Sequence, residues 1–207
     1  MHDRRIDRVT HTFGNAGALY QRAMTWWDHE TKSIWSQPVG QAMSGEYMGV
    51  ELFLLPSQVT TWGSWRSEHP ETLVMVNDLE LQGDFRQGFK TNFVIGLVLD
   101  GKSKSYAFED VVEAGIINDT IGDIPILIWA EEDRFHAFVR LVDGQSLTID
   151  DVDGEIIDRE TGSKWDIVRG LATEGSLKGN SLQPVPSSTA YDWAWLNFYP
   201  DSEIYVP

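Results

Sequence analysis

Asp28-His-Glu-Thr-Lys-Ser-Ile-Trp35 returns 130 residues later as Asp158-Arg-Glu-Thr-Gly-Ser-Lys-Trp165. Continued without a gap, residues 28–74 and 158–204 share 14 of 47 positions, far above the about three that chance gives. The identities run on through Gly40/Gly170, Ala42/Ala172, Gly45/Gly175, Gly49/Gly179, Leu52/Leu182, Pro56/Pro186, Ser57/Ser187, Trp65/Trp195 and Pro70/Pro200. An internal duplication predicts a chain built from two related halves.

Each copy reads as one supersecondary unit. Two short β-prone segments flank a polar centre, and Asp28 or Asp158 at the start of that centre has the chemistry to accept backbone N–H groups two or three residues on, which predicts a hairpin. Gly162 suits a positive φ; Lys32 in its place predicts a different or mildly strained first turn. Spaced glycines then punctuate short strands or a compact turn, with no strand, glycine loop and helix in the order a phosphate site needs. Each copy closes on a short helix, with a Ser or Thr N-cap and Pro70 or Pro200 beyond its end. Tyr191, Trp195, Phe198 and Tyr199 are spaced for one buried face, and Trp62, Trp65 and His69 for a narrower one.

Between the copies, residues 77–92 are polar and glycine-bearing and read as a linker, dividing a first, shortened lobe at 1–76 from a second, complete one at 93–207. Asp100-Gly101, Asp143-Gly144 and Asp153-Gly154 mark hairpin turns in a run of alternating strands, and FEDVVEAGIIND, residues 108–119, reads as a short helix. The fold class expected is mainly β with short helices (α+β), as two pseudo-symmetric antiparallel β lobes of unequal size.

Composition narrows the chemistry. Thirty-two Asp and Glu against 16 Lys and Arg give a net charge of −16, which repels phosphate backbones and anionic lipid, so neither nucleic acid nor membrane insertion is expected. The acidic surface fits solubility, with high-salt adaptation left open. No cysteine is present, which excludes disulfides, thiolate metal sites and thiol nucleophiles. Neither a signal peptide nor an apolar membrane span is visible, a soluble chain is expected, and the sequence assigns no compartment.

The motifs Asp158 to Trp165, Gly170, Gly175, Gly179, Trp193-Ala-Trp195 to Pro200 and Asn118-Asp-Thr-Ile-Gly122 with Pro125 together resemble the family called domain of unknown function 3179. Asp28 to Trp35, Ser36-Gln37 and Thr60-Thr-Trp-Gly63 add to the resemblance, which spans roughly residues 13–207. It implies no established activity. Members resembling this chain carry a Cys-Pro-Leu-Cys segment upstream of the first motif, so this chain resembles a shortened member without it.

The repeated residues supply the candidate sites. Asp28, Glu30, Asp158 and Glu160, brought together by pseudo-twofold symmetry, would suit Ca²⁺ or another divalent cation, or general acid work; alternatively each Asp caps its own turn. Trp35 and Trp165, with Ser33 and Ser163 nearby, are candidates for a groove between lobes. Three readings follow: a non-catalytic binding or assembly module with a Trp-lined groove taking a small molecule, glycan or protein; a cation-dependent hydrolase using the paired acids; or a degenerate paralogue without an active site. No metal is assigned and no cofactor is expected, since His29, His69 and His136 lack a zinc spacing and Asp150, Asp151, Asp153 and Glu155 fail that of a calcium loop.

Overall fold

A computed structural model describes residues 1–57, 59–74 and 92–207; the expected linker lies outside these residues but for Asn92. The chain is mainly β, with several antiparallel sheets and, among the described residues, three seven-residue helices: α1 Trp62–Glu68, α2 Phe108–Ala114 and α3 Asp192–Phe198. None of the helices described is long and apolar enough to cross a membrane.

Each repeat segment completes a four-stranded antiparallel sheet with the hairpin that precedes it. In the first, Phe13–Tyr20, Ala23–Asp28, Ile34–Ser36 and Ala42–Ser44 pair in order; in the second, Ile149–Val152, Glu155–Asp158, Lys164–Asp166 and Leu171–Glu174 do so. The likeness continues upstream of the region that aligns without gaps. A tight hairpin of Arg5–Ile6 with Val9–Thr10 stands where Leu141–Val142 with Gln145–Ser146 stand in the second unit. The intervening hairpin is six residues longer in the first unit (13–28 against 149–158), bulged between Asn15 and Leu19, so the upstream register is 136 rather than 130.

Between the units lies the larger core. Ile124–Glu131 is buried on both faces, which explains its unbroken apolar run. Ile126, Ile128 and Ala130 face Ile95, Leu97, Tyr106 and Val111, while Leu127 and Trp129 face Leu147, Ile149, Trp165 and Leu182. The sheet containing it runs Gln183–Pro184, Arg134–Val139, Ile124–Glu131, Ile116–Ile121. A second sheet runs Ser187–Tyr191, Phe93–Leu99, Lys102–Ala107, Glu203–Ile204, its last pair parallel. The first unit has a small core of its own, with Ile6, Trp35, Ala42 and Leu52 buried.

The Asp-Gly turns form as expected, with both residues at positive φ at 100–101, 143–144 and 153–154. Lys32 keeps the same turn and bears the expected mild strain, at φ 62° against 67° for Gly162. Three local expectations are corrected. The helix at 108–119 stops at Ala114, because Gly115 takes φ 69° and reverses the chain into strand Ile116–Ile121. Trp62 is 51% exposed, and α1 buries no residue, whereas α3 buries Trp195 against Gly96, where a Cβ would come within 2.2 Å of the indole. The Thr61 side chain caps α1, but Tyr191 precedes α3 without a side-chain cap, because Ser188 and Thr189 are spent in a strand.

Each closing helix leans on the other half of the molecule. On the α3 side, Phe198 meets Tyr20 at 6.3 Å between ring centroids and Trp193 lies under Arg22. On the α1 side, Ser64 lies 3.5 Å from the Arg134 guanidinium and Val59 bridges Phe135.

Candidate functional site

The repeated motif builds the same hydrogen-bond network twice. Asp28 accepts the Thr31 amide at 2.6 Å and the Trp35 indole N–H at 2.9 Å; Asp158 accepts the Thr161 amide at 2.6 Å and the Trp165 indole at 3.0 Å. The Thr31 and Thr161 hydroxyls reach the same carboxylates and lie 2.7 Å from the Ser33 and Ser163 hydroxyls. Those serines in turn accept the amides of Tyr47 and Leu177 at 3.1 Å. A row of donors therefore runs from a backbone amide, through serine and threonine, to a buried carboxylate, and hydrogen bonding to the charged form stabilises it. Burial alone would push the Asp28 carboxyl up, but the bonds from Trp35 and Thr31, with the His11 ring nearby, hold it below the ordinary carboxylate range.

Gly45 and Gly175 complete the arrangement. A Cβ on either would stand 2.7 Å from the Cα of Ser33 or Ser163, and both glycines have φ near +90°, so the close approach and the turn both require glycine. Glu30 and Glu160 reach back to the residue just before the first strand of their own sheet, accepting the amides of Thr12 and Thr148. For Glu30, that amide bond is the main cause of a lowered pKa.

The eight residues singled out from the sequence therefore sort into two sets of four, Asp28, Glu30, Ser33 and Trp35 in one unit and Asp158, Glu160, Ser163 and Trp165 in the other. Both tryptophans are buried and both aspartates fully so. The four acids do not gather into one cluster of ligand atoms: among the described residues, such a group forms only from His11, Asp28 and Glu30, whose ligand atoms lie within 4.8 Å of one another.

His11 is the residue the sequence reasoning did not single out. Its ring is 3% exposed, neither nitrogen has a hydrogen-bond partner, and Nδ1 lies 3.5 Å from Glu30 and 3.9 Å from Asp28. In the second unit the corresponding residue is Leu147, fully buried in the core. The shared signal is backbone: His11 and Leu147 each donate to the carbonyl of an arginine, Arg4 or Arg140, whose guanidinium returns to the same residue's carbonyl. The other histidines named from the sequence stack on aromatics: His29 on Trp27, His69 against Trp65, and His136 on both Trp129 and Phe138. Burial, helped by the Arg134 charge, lowers the His136 pKa to about 4. The acidic run at 150–155 is spent locally, with Asp150 on Arg159, Asp151 on the Gly154 amide and Glu155 on Lys164.

A cleft of about 730 Å³ opens where the first unit meets α3. Its walls include Tyr20, Gln41 and Phe53 on one side and Asn197, Phe198 and Tyr199 on the other. Glu51 also lines it, with its carboxylate accepting from the Gln41 amide at 3.0 Å. Trp35 and Trp165 are not among the lining residues, since both indoles are directed to Asp28 and Asp158 inside their own units.

A family model described as "Protein of unknown function (DUF3179)" matches residues 1–92 and again 83–202. No curated protein and no solved structure matches the chain.

Proposed function

From the premise that the chain belongs to the DUF3179 family, whose description assigns no activity, we propose that it is a non-catalytic binding module whose ligand site is the cleft between the first unit and α3. The observation that carries this reading is the make-up of the walls: aromatic rings from both halves, aliphatic side chains, side-chain amides and, among the described residues, a single carboxylate already engaged by Gln41. Rings offer flat apolar faces and amides offer paired donors and acceptors, the combination that holds an uncharged ligand with both kinds of surface. A short glycan is the clearest case, its C–H faces lying on Tyr20 or Phe198 and its hydroxyls meeting Gln41 and Asn197.

The repeated motifs support this reading over hydrolysis. A general acid or a nucleophile needs a group free to exchange protons with a substrate. Asp28, Asp158, Ser33 and Ser163 are buried and committed to one another through threonine. They serve as staples that hold the two units in shape, and the cleft lies elsewhere.

The test is calorimetric titration of the full chain against a panel of short glycans, peptides and uncharged metabolites, repeated with Phe198→Ala and Asn197→Ala. Saturable binding weakened at least about tenfold by either substitution is expected. A flat panel, or binding that both substitutions leave unchanged, overturns the assignment.

A further inference from the structure

We propose that His11, Asp28 and Glu30 form a binding site for a divalent transition-metal ion of the Zn²⁺ type, present in the first unit and absent from the second. The carboxylates alone would not carry this, because each already has a structural duty that its counterpart in the second unit shares. His11 does. It is a buried imidazole with neither nitrogen hydrogen-bonded and only Nδ1 within ion-pair range of Glu30 and Asp28, and the second unit shows that the same backbone position accommodates leucine. Leaving such a group without a partner is costly, so its presence needs a compensating interaction.

The distances select the kind of interaction. A direct N–H to carboxylate hydrogen bond spans roughly 2.7–3.2 Å, and His11 Nδ1 is 3.5 Å from Glu30 and 3.9 Å from Asp28. Ligands held at about 2.0–2.1 Å around a tetrahedral ion stand about 3.4 Å apart. The spacing is thus too long for a hydrogen bond and close to that of ligands sharing an ion. The chemistry agrees: imidazole with carboxylate suits zinc and its neighbours, while Ca²⁺ prefers an all-oxygen shell.

The surroundings fit as well. Asp28 is oriented by Thr31 and Trp35, the kind of outer support that fixes a ligating carboxylate. The Tyr47 ring stands edge-on to His11 at 5.4 Å, closing one side. Glu30 is 38% exposed, which leaves a side open to solvent for entry and for a water ligand.

The experiment is calorimetric titration of the chelator-treated full chain with ZnCl₂ at pH 7.5, followed by Ca²⁺ competition and by His11→Leu. The leucine variant copies the second unit's own residue, so the packing it needs has a precedent in this molecule. One Zn²⁺ per chain with micromolar affinity is expected, with a rise in melting temperature on binding, weakening of at least about 100-fold in His11→Leu, and no displacement by millimolar Ca²⁺. Absence of one-to-one binding overturns the proposal, as does binding that survives His11→Leu or yields to Ca²⁺, since either marks adventitious attachment to the acidic surface. Should His11→Leu fail to fold, Glu30→Gln takes its place, and unchanged affinity in that variant overturns the site. The cleft is untouched by these substitutions, so the two proposals fail separately.

Discussion

The two units share a backbone and a hydrogen-bond network but differ in what surrounds it. The second is set against a large core, with Trp165, Leu147 and Ile149 packed on Leu127, Trp129 and Phe138 of a strand pair preceding it. In the first, the cluster around Trp35 holds four buried residues, with His2 in the place of Phe138 and His11 in that of Leu147. His2 even fills the same space: its ring stands where a Cβ on Gly40 would, as the Phe138 ring does for Gly170. The Asp-Thr-Ser-Trp network persists across this change in surroundings, whereas the apolar contacts do not. The network is therefore what specifies the unit, and the core decides how firmly it is held.

The largest effect that would break this comparison comes from the aspartates. Asp28→Ala and Asp158→Ala each leave a buried indole N–H and a threonine amide without their acceptor. Each should lose about 3 kcal/mol or more of stability in urea denaturation, and the Asn variants less, because one amide oxygen still accepts. Similar losses in both units would assign the stability to the network; a loss confined to Asp158 would assign it to the core. Next come the glycines. Gly175→Ala meets both a positive φ and the Ser163 backbone and should cost about 2–3 kcal/mol, whereas Gly179→Ala meets only the positive φ, with open space around it, and should cost about 1 kcal/mol. Melting temperatures of the pair, repeated with Gly45 and Gly49, separate strain from steric contact.

Much of this was legible in the sequence, for a physical reason. The hairpins, the Asp-Gly turns and the Gly-punctuated segment depend on short-range chemistry, which residue identity reports directly. So does the turn-capping role of Asp28 and Asp158, which the spacing to Thr31 and Thr161 already allowed. The upstream likeness of the two units was hidden because six extra residues in the first hairpin displace Arg4 from Arg140 and Asp7 from Asp143. With that register lost, His11 could not be seen as the substitute for a core leucine. The helix face of α1 was misread because Trp62 and His69 follow a core-like spacing, and spacing does not reveal whether a partner surface exists. Trp195 finds one at Gly96, a contact between residues 99 positions apart.

His136 offers a smaller test, through pH. Its pKa falls from 6.5 to about 4 on folding, so the unfolded chain binds the proton more readily in that interval. Its contribution to stability is complete above pH 6.5 and is lost as the pH falls towards 4. Asp28, held below its ordinary range of about 3.8, contributes above that value and loses its share only at lower pH. Urea midpoints measured between pH 7 and 4 should therefore decline in the native chain and decline less in His136→Phe, which keeps an aromatic ring between Trp129 and Phe138; burial of His2, which also lowers its pKa, supplies part of the remaining slope. A slope left unchanged by the substitution would reject His136 as a source.

The smallest expected difference is at the turn position shared by Lys32 and Gly162, and it should be unequal in the two directions. Glycine relieves a left-handed residue of about 1 kcal/mol of strain, but it also loses more backbone freedom on folding. In the first unit Lys32 recovers part of its strain locally, because its ammonium donates to the His29 carbonyl at 2.8 Å and lies 4.4 Å over the Trp27 ring. Lys32→Gly should thus change stability by no more than about 0.5 kcal/mol. Ile157 stands in place of Trp27 in the second unit, so Gly162→Lys gains no such ring and should lose about 1 kcal/mol. Denaturation midpoints of the two variants and of Trp27→Leu decide it: a gain above 1 kcal/mol in Lys32→Gly would mean that the tryptophan does not compensate the strained turn.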